Sequence, residues 1–296
     1  MVRGPSPRPR PYHPGVTAQH RSLPPELVAH ARAAAAGDHQ PVRPRDAATV
    51  VLLRDAPGSG VEAYLLRRVA SMAFAAGMYV FPGGSVDPRD ANAEVGWFGP
   101  SAGDWARLLS ADERLARALV CAAVRETFEE SGVLLAGPSG AEIADVSAEH
   151  WEDDRHALLD RSISLAELLN RRGLVLRADL LRPWAHWITP EFEPKRFDTR
   201  FFVAALPAGQ APRHVGGEAD RVVWIRPQRA LEQQASGEFR LLPPTAVTLA
   251  ELAECNGVAE VLDAGTRRDI SPVLPRAVVS GDEARLLIPG DAGYDG

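Results

Sequence analysis

The chain of 296 residues is poor in lysine and in cysteine. Lys195 is the single lysine, and all other basic residues except histidines are arginines, whose planar guanidinium binds phosphate oxygens through two parallel hydrogen bonds. Cys121 and Cys255 are two cysteines far apart in the sequence. This number and spacing exclude a disulfide framework and a cysteine-based metal cluster.

Long apolar runs are also absent from the sequence. No run approaches the roughly 20 apolar residues that a membrane-spanning helix needs, and the N-terminus lacks the apolar segment of a secretory signal. The net charge of −6 gives no general attraction to nucleic acid or to an anionic membrane. We therefore expect a cytoplasmic protein whose partners include neither nucleic acid nor a membrane.

The composition divides the chain into a tail and a folded domain. Residues 1–44 form a Pro/Arg-rich tail that is predicted to be disordered, apart from a short helix from Pro25 to Ala36 that ends at Gly37. Residues 45–296 are predicted to be a single domain with a helical C-terminal extension that ends in a hairpin, Ala277 to Ser280 with Ala284 to Ile288.

The periodicity within the domain predicts a mixed sheet flanked by helices, the α/β (α+β) class, because strands precede and follow a central helix without regular alternation. The predicted strands are Ala47 to Arg54, Val61 to Arg67, Tyr79 to Phe81, Arg200 to Leu206 and Arg221 to Ile225. The predicted helices besides the central one are Glu152 to Leu159, Leu165 to Arg171, Pro227 to Ala235, Pro244 to Cys255 and a turn or two from Val258 to Leu262.

The central helix is predicted from its end signals. Ser110 followed three residues later by Glu113 forms the pattern of a capping box, and Gly132 marks the end of a helix that runs to Glu130. Leu115 and Leu119 share one face with small residues, so this helix is expected to pack on a core.

The C-terminal turns of this helix carry an unfavourable cluster of acids. Glu126, Glu129 and Glu130 are spaced so that their carboxylates lie on one face of the helix. Three anions this close repel one another, and the helix dipole disfavours anions at a C-terminus. A hard divalent cation, Mg²⁺ or Mn²⁺, prefers carboxylate oxygens and would compensate the cluster.

The residues around this cluster resemble the Nudix hydrolase family. The family signature, called the box below, is a glycine, five residues, a glutamate, seven residues, and then Arg-Glu-apolar-any-Glu-Glu-any-Gly-apolar. Its second half stands at 125–133, with Thr127 in an apolar slot, and its first half stands in Phe81-Pro82-Gly83-Gly84, with Gly84 as the opening glycine. The resemblance implies an α/β/α sandwich around a mixed sheet.

Two departures from the signature place the chain nearer to one subgroup. Asp90 stands in the glutamate slot, and Arg125 comes 27 residues later than the signature requires, so an insertion at about 91–117 splits the box. A split box resembles the peroxisomal-type coenzyme A diphosphatases. Coenzyme A-directed relatives often carry an Arg-any-His element before the box, which the run Ala73-Phe74-Ala75-Ala76-Gly77 lacks.

The resemblance implies roles for the box residues. Glu126, Glu129, Glu130 and the carbonyl of Gly83 would hold the metal ions, and Arg125, Gly84 and Gly132 would support the box. A later acid often acts as base or as an extra ligand, and Glu218 lies in the matching place, a glycine-rich loop before a strand. Glu191, Glu193 and the box glutamates themselves are alternatives as the base, and Glu218 is equally compatible with a solvated loop acid.

Substrate contacts are less specific in the sequence. Arg196, Arg200 and His186 are candidates for binding phosphates, but such residues are more often surface or capping residues. Trp97 and Trp105 in the insertion fit either a cover over the substrate or an anchor of the insertion to the core.

The function that follows from the resemblance is metal-dependent hydrolysis of a diphosphate in a nucleotide derivative, with coenzyme A or acyl-coenzyme A favoured.

The alternatives are a diphosphatase for ADP-ribose, nucleotide sugars or nucleoside triphosphates, and a catalytically silent ligand sensor of the same fold. A silent protein usually loses box glutamates, whereas this chain keeps all three. An acidic protein-interaction domain leaves the Phe-Pro-Gly-Gly segment unexplained. The partner is expected to be a small nucleotide diphosphate, and a homodimer is left open.

Overall fold

The computed structural model describes residues 22–23, 25–69, 75–91, 94–138, 142–213 and 219–294. Its helices are, in chain order, α1 (Pro25–Ala35), α2 (Ala102–Leu109), α3 (Glu113–Ser131), α4 (His150–Leu159), α5 (Leu165–Arg172), α6 (Pro227–Ala235), α7 (Pro243–Leu252) and α8 (Val258–Thr266). Its strands are β1 (Arg45–Asp55), β2 (Val61–Arg68), β3 (Tyr79–Val80), β4 (Gly83–Ser85), β5 (Trp97–Phe98), β6 (Ala136–Gly137), β7 (Val175–Arg177), β8 (Arg182–Ile188), β9 (Phe197–Ala205), β10 (Ala219–Ile225), β11 (Pro272–Val273), β12 (Arg276–Ser280) and β13 (Glu283–Leu287).

The main sheet is mixed and is centred on β1. It has the order β10-β2-β1-β9-β8-β11, with β3 added beside β2 and β4 added beside β1. Strand β1 runs parallel to β9 and antiparallel to β2 and β4. In this register Ala48 of β1 pairs with Gly84 on one side and with Arg200 on the other, so the first half of the box is built into the sheet.

Both faces of the sheet are covered by helices. Successive side chains of a strand point to opposite faces. Val50 and Leu52 of β1 therefore belong to the core that contains the α3 side chains, whereas Val51 and Leu53 belong to the core of α6, α7 and α8. The result is an α/β/α sandwich around a mixed sheet, as the sequence predicted.

The start of α3 differs from the prediction. Asp112 is its N-cap, and its carboxylate accepts a hydrogen bond of 2.7 Å from the Leu115 amide. Ser110 instead ends α2, in the left-handed conformation at φ 51°. The capping box of this region lies earlier, at Ser101 and Asp104 of the unpredicted helix α2. Ser, Asp and Glu stand close together here, so spacing alone could not distinguish the end of one helix from the start of the next.

The insertion at 91–117 contributes to the core. It contains β5, α2 and the first turn of α3, and its Trp105 is 1% exposed. The Trp105 ring packs edge-on to Phe202 of β9, with 5.7 Å between the ring centroids. The insertion therefore cannot be replaced by a short linker without opening this core.

Strand β8 was not predicted because Pro183 interrupts an apolar run, and proline removes a backbone donor from a sheet. The structure accommodates Pro183 at a shift of register between β8 and β9. The C-terminal hairpin β12–β13 lies where the sequence predicted it. In the part of the chain described here, no helix combines the length and apolarity that crossing a membrane requires.

Candidate active site

The candidate site lies where the C-terminal half of α3 packs against β4 and the short 3-10 helix Pro88–Ala91. Arg125 and Glu129 of α3 are 9% and 7% exposed. The helix ends at Gly132, whose φ of 72° lies in the left-handed region that glycine adopts without strain. The acidic turns are therefore buried inside the protein rather than solvated at a helix end.

Arg125 ties the two halves of the box together. Its Nη2 donates to Oδ2 of Asp90 and to the carbonyl of Ser85, each at 2.9 Å, and its Nε also donates to Asp90. Its Nη1 donates to Glu126 at 2.8 Å and to Glu129 at 3.2 Å. The Arg125 guanidinium thus reaches Asp90, 35 positions earlier in the sequence, and so connects the two halves of the box. Asp90, the aspartate in the glutamate slot of the signature, is its main partner.

The two glycines of the first half approach α3 closely. A Cβ atom on Gly84 would lie 2.4 Å from Oε1 of Glu126, and a Cβ atom on Gly83 would lie 2.6 Å from the carbonyl of Ala48. The amide of Gly83 donates a hydrogen bond of 2.8 Å to Oε2 of Glu130. Only residues without a side chain fit at these two positions, because any Cβ would displace a carboxylate or the β1 backbone.

Burial makes the charged forms of the box glutamates costly. Desolvation raises the pKa of Glu126 and of Glu129, and the positive charge of Arg125 opposes the shift without cancelling it. Repulsion also raises these pKa values: the Glu129 charge raises the pKa of Glu126, and the Asp90 charge raises the pKa of both glutamates. The site therefore has a surplus of negative charge that a bound cation would relieve.

Two further arginines sit at the C-terminal end of α3. Arg155 of α4 is 3% exposed, and its Nη1 donates to the carbonyl of Glu129 at 3.0 Å. Its other nitrogens bind Glu152, which in turn pairs with Arg213 at 3.0 Å. A cation at a helix C-terminus offsets the partial negative charge of the free carbonyls, so Arg155 stabilises a helix end that carries three acids. No sequence pattern marks Arg155, because it contacts backbone from a helix remote in sequence.

The other predicted substrate contacts are bound within the protein. Arg196 donates to the carbonyls of Thr189 and Val42, and Arg200 pairs with Asp198. Nε2 of His186 also binds Asp198, at 2.5 Å. The geometry favours the interpretation of these residues as structural anchors.

Trp97 is likewise engaged within the insertion. Its Nε1 donates to the carbonyl of Pro100 at 2.7 Å, and the Arg117 guanidinium lies 5.0 Å from its ring centroid. This arrangement fits the anchoring alternative better than a cover over substrate. Glu218 lies outside the described residues, as do Ala73 and Phe74.

The donor set at the box suits a hard divalent cation. Carboxylate oxygens of Glu126, Glu129 and Glu130 come from one helix face, and Gly84 leaves the space beside Glu126 free of side-chain atoms. The side chains do not form a ready ligand cluster in the described residues, since no three acidic, histidine or cysteine side chains there meet the geometry of a metal site. Arg125 accounts for part of this geometry, because its Nη1 occupies the position between Glu126 and Glu129.

Comparison with known proteins finds similarity between this chain and one protein family. The model of the NUDT19 Nudix domain matches residues 107–252, which include all of α3. The acyl-coenzyme A diphosphatase NUDT19 of Gallus gallus is 28% identical over 306 residues, covering 84% of this chain and 79% of the relative. The protein of the same name from Homo sapiens is 27% identical, covering 81% and 74%.

A solved structure gives the same result for the fold. The crystal structure of a Nudix hydrolase from Alicyclobacillus acidocaldarius is similar with a TM-score of 0.63 and 29% identity. The similarity covers 75% of this chain and 96% of that chain. The match therefore includes nearly the whole of that hydrolase.

Proposed function

Because this chain is a Nudix hydrolase, we propose that it cleaves the diphosphate linkage of coenzyme A or acyl-coenzyme A with the help of Mg²⁺ or Mn²⁺. The observation that carries the proposed metal site is the contact between Gly84 and Glu126, which brings the two halves of a split box together. The substrate class is inferred from the name that the relatives in Gallus gallus and Homo sapiens carry.

Nudix hydrolases generally use divalent metal ions. In this chain Glu126, Glu129, Glu130 and the carbonyl of Gly83 would hold them. When bound, the metal supplies charge neutralisation at the phosphate oxygens and lowers the pKa of water. Arg125 fixes Asp90 and two of the glutamates, so that the carboxylates keep their positions while the substrate binds.

A carboxylate must also accept the proton of the attacking water. Glu218 is the proposed base, with a box glutamate as the alternative. Attack of water at one phosphorus breaks the bond to the bridging oxygen. With coenzyme A the products are adenosine 3′,5′-bisphosphate and 4′-phosphopantetheine, or its acyl form, and the thioester stays intact.

The test of the substrate is a panel of equal concentrations of coenzyme A, an acyl-coenzyme A, ADP-ribose, a nucleotide sugar and a nucleoside triphosphate. We expect the highest kcat/KM for the coenzyme A compounds, and no turnover after chelation of divalent metal. A higher kcat/KM for ADP-ribose, the nucleotide sugar or the triphosphate would replace the proposed substrate. Absence of turnover on every compound would favour the silent sensor.

The control variant for the metal is Glu129→Gln. Glutamine keeps an oxygen that can accept from Arg125 but removes the charge, so activity should fall by at least about 100-fold. The free energy of unfolding should be unchanged or slightly higher, since burial already disfavours the charged form of Glu129. Full activity in this variant would contradict the assignment of the box.

A further inference from the structure

One exposed arginine near the box has no partner among the described residues. Arg161 lies in the segment between α4 and α5, and its guanidinium makes no hydrogen bond or ion pair within the described part of the chain. Its positive charge nevertheless opposes, as a minor contribution, the rise in the pKa of Glu129 that burial causes. The other arginines around the box, namely Arg89, Arg125, Arg155 and Arg213, all bind carboxylates or carbonyls.

The backbone of Arg161 is held in a strained conformation. Its φ of 63° lies in the left-handed region, which costs a residue with a Cβ roughly 1–2 kcal/mol relative to glycine. The neighbouring Ser162 is fixed by hydrogen bonds to Asp160 and to the carbonyl of Ala157. Glycine would relieve the strain, so the backbone of this segment does not require an arginine at this position.

The segment is also tied to the first half of the box. Nη1 of Arg89 donates to the carbonyl of Arg161 at 3.0 Å, while Nε of Arg89 binds Asp87 at 3.0 Å. On the other side, α4 is joined to the box helix through the bond from Arg155 to the carbonyl of Glu129. Hydrogen bonds of Arg89 and Arg155 therefore connect the segment that contains Arg161 to both halves of the box.

The charges around the site indicate a binding role for the Arg161 side chain. Asp90, Glu126 and Glu129 share one arginine, Arg125, whose nitrogens are used by the box itself, and Glu130 accepts a hydrogen bond from the Gly83 amide. A diphosphate substrate brings further negative charge, and a metal ion alone contacts only part of its oxygens. A guanidinium can bind two phosphate oxygens at once through parallel hydrogen bonds.

We propose that Arg161 binds the phosphate oxygens of the substrate beside the metal-binding glutamates. This inference rests on the proposed function as a diphosphatase and assigns to that reaction a binding residue that has no sequence signature. Arg89 holds the backbone carbonyl of Arg161, and the exposed Arg161 side chain lies on the α4–α5 segment beside the box.

The test compares Arg161→Gly, Arg161→Ala and Arg161→Lys by calorimetric titration with ADP in the presence of Mg²⁺. ADP is the probe because coenzyme A and ADP-ribose both contain an adenosine diphosphate unit. The Gly and Ala variants should bind ADP about 10- to 100-fold more weakly, the usual effect of losing hydrogen bonds to a charged group. The ADP affinity of the Lys variant should lie between those of these two variants and the wild type, because lysine keeps the positive charge but lacks the planar guanidinium that forms two parallel hydrogen bonds.

Two readouts separate this role from a structural one. Arg161→Gly should melt at a higher temperature than the wild type although it binds ADP weakly, because the strain is relieved. Mn²⁺ binding without nucleotide, measured by electron paramagnetic resonance, should not weaken, because removal of the Arg161 charge removes a repulsion of the ion. The matched control is Ser110→Gly, which relieves strain at another left-handed residue, at φ 51°, and should leave ADP binding unchanged.

Wild-type ADP affinity in Arg161→Gly would overturn the inference. Altered Mn²⁺ affinity together with an unchanged response to ADP once the metal is saturating would also overturn it, since Arg161 would then only balance the charge of Glu129. The panel of substrates tests the proposed function separately. Turnover of coenzyme A with wild-type kinetics in Arg161→Gly would refute the role of Arg161 and leave the proposed function standing.

Discussion

A Cβ atom built on Gly84 would lie 2.4 Å from the carboxylate oxygen Oε1 of Glu126, so these two residues touch across the split box. Gly84 stands in β4 and pairs with Ala48 of the central strand, while Glu126 belongs to α3. The insertion that separates the two halves in sequence thus leaves them adjacent in space.

The first prediction concerns this contact. Gly84→Ala should reduce kcat/KM by about 10- to 100-fold, because a displacement of about 1 Å in a catalytic group can cost a factor of 100. The protein should stay folded, since the atoms that must move belong to the end of the Glu126 side chain.

The matched control is Gly83→Ala. Its Cβ would meet the β1 backbone, with 2.6 Å to the carbonyl of Ala48 and 2.8 Å to Cα of Thr49. We expect a loss of about 1–3 kcal/mol in the free energy of unfolding, as in overpacked cores. Urea denaturation together with kinetics separates the two effects, and wild-type activity in Gly84→Ala would contradict the contact.

The second prediction concerns the insertion. Trp105→Ala should lower the free energy of unfolding by about 3–5 kcal/mol, because it removes a fully buried indole that packs on Phe202. The KM should not change in the fraction that remains folded. Trp97→Ala is the comparison, since Trp97 is half-buried and should cost less. A large rise in KM for Trp97→Ala would restore its predicted role as a cover over the substrate.

The third prediction is a pH dependence of stability. The Arg89 side chain, bonded to Asp87, lowers the pKa of that carboxyl from 3.8 to about 2. A carboxyl with a lowered pKa stabilises the fold at any pH above the value in the unfolded chain, and this contribution disappears as the pH falls to the folded value. Asp87→Asn should therefore cost about 1–2 kcal/mol at pH 6, and the difference from the wild type should vanish between pH 4 and pH 2.

Denaturation in urea at pH 6, 4, 3 and 2 measures this difference directly. Asp153→Asn removes the same charge from an exposed position of α4 and corrects for the change in net charge. A difference between wild type and Asp87→Asn that is constant across this range would contradict the ion pair as its source.

The fourth prediction concerns the base. If Glu218 accepts the proton from water, Glu218→Gln should lower kcat by about 100-fold with little change in KM, and the acidic limb of the pH profile should disappear. A need for more metal, with rescue by excess Mn²⁺, would instead make Glu218 a ligand. Wild-type kinetics would remove Glu218 from the site, and Glu191→Gln and Glu193→Gln would be examined next. Glu193 is half-buried, and burial raises the pKa of its carboxyl, whereas Glu191 is exposed.

The sequence predicts the fold class and the helix that carries the box glutamates better than it predicts the arginines that lie around them. The fold class and α3 follow from apolar strands before and after a central helix that ends at Gly132, because these signals are local. The positions of Arg155 and Arg161 depend on how α4 and the segment that follows it pack against α3, and no local sequence pattern encodes that packing. The same limit applies to Ser110, whose neighbours fit a helix start as well as a helix end.

The sequence could not show that two of the arginines predicted to contact substrate have partners within the protein. Arg196 and Arg200 stand in or beside β9, where backbone carbonyls and Asp198 take up their hydrogen bonds. Arg161 carried no signal in the sequence, since its unusual feature is a backbone angle. A residue type favours phosphate binding, but the fold decides which arginines remain free for it.

The central claim is that water attacks a phosphorus of the diphosphate and leaves the thioester intact. The direct measurement is mass spectrometry of the products formed from an acyl-coenzyme A in H₂¹⁸O with Mg²⁺, with Glu129→Gln as the inactive control. We predict adenosine 3′,5′-bisphosphate and acyl-4′-phosphopantetheine, with one ¹⁸O atom in the phosphate of one of them and no free coenzyme A. Release of free coenzyme A with ¹⁸O in the carboxylic acid, or equal product formation by Glu129→Gln, would contradict the account.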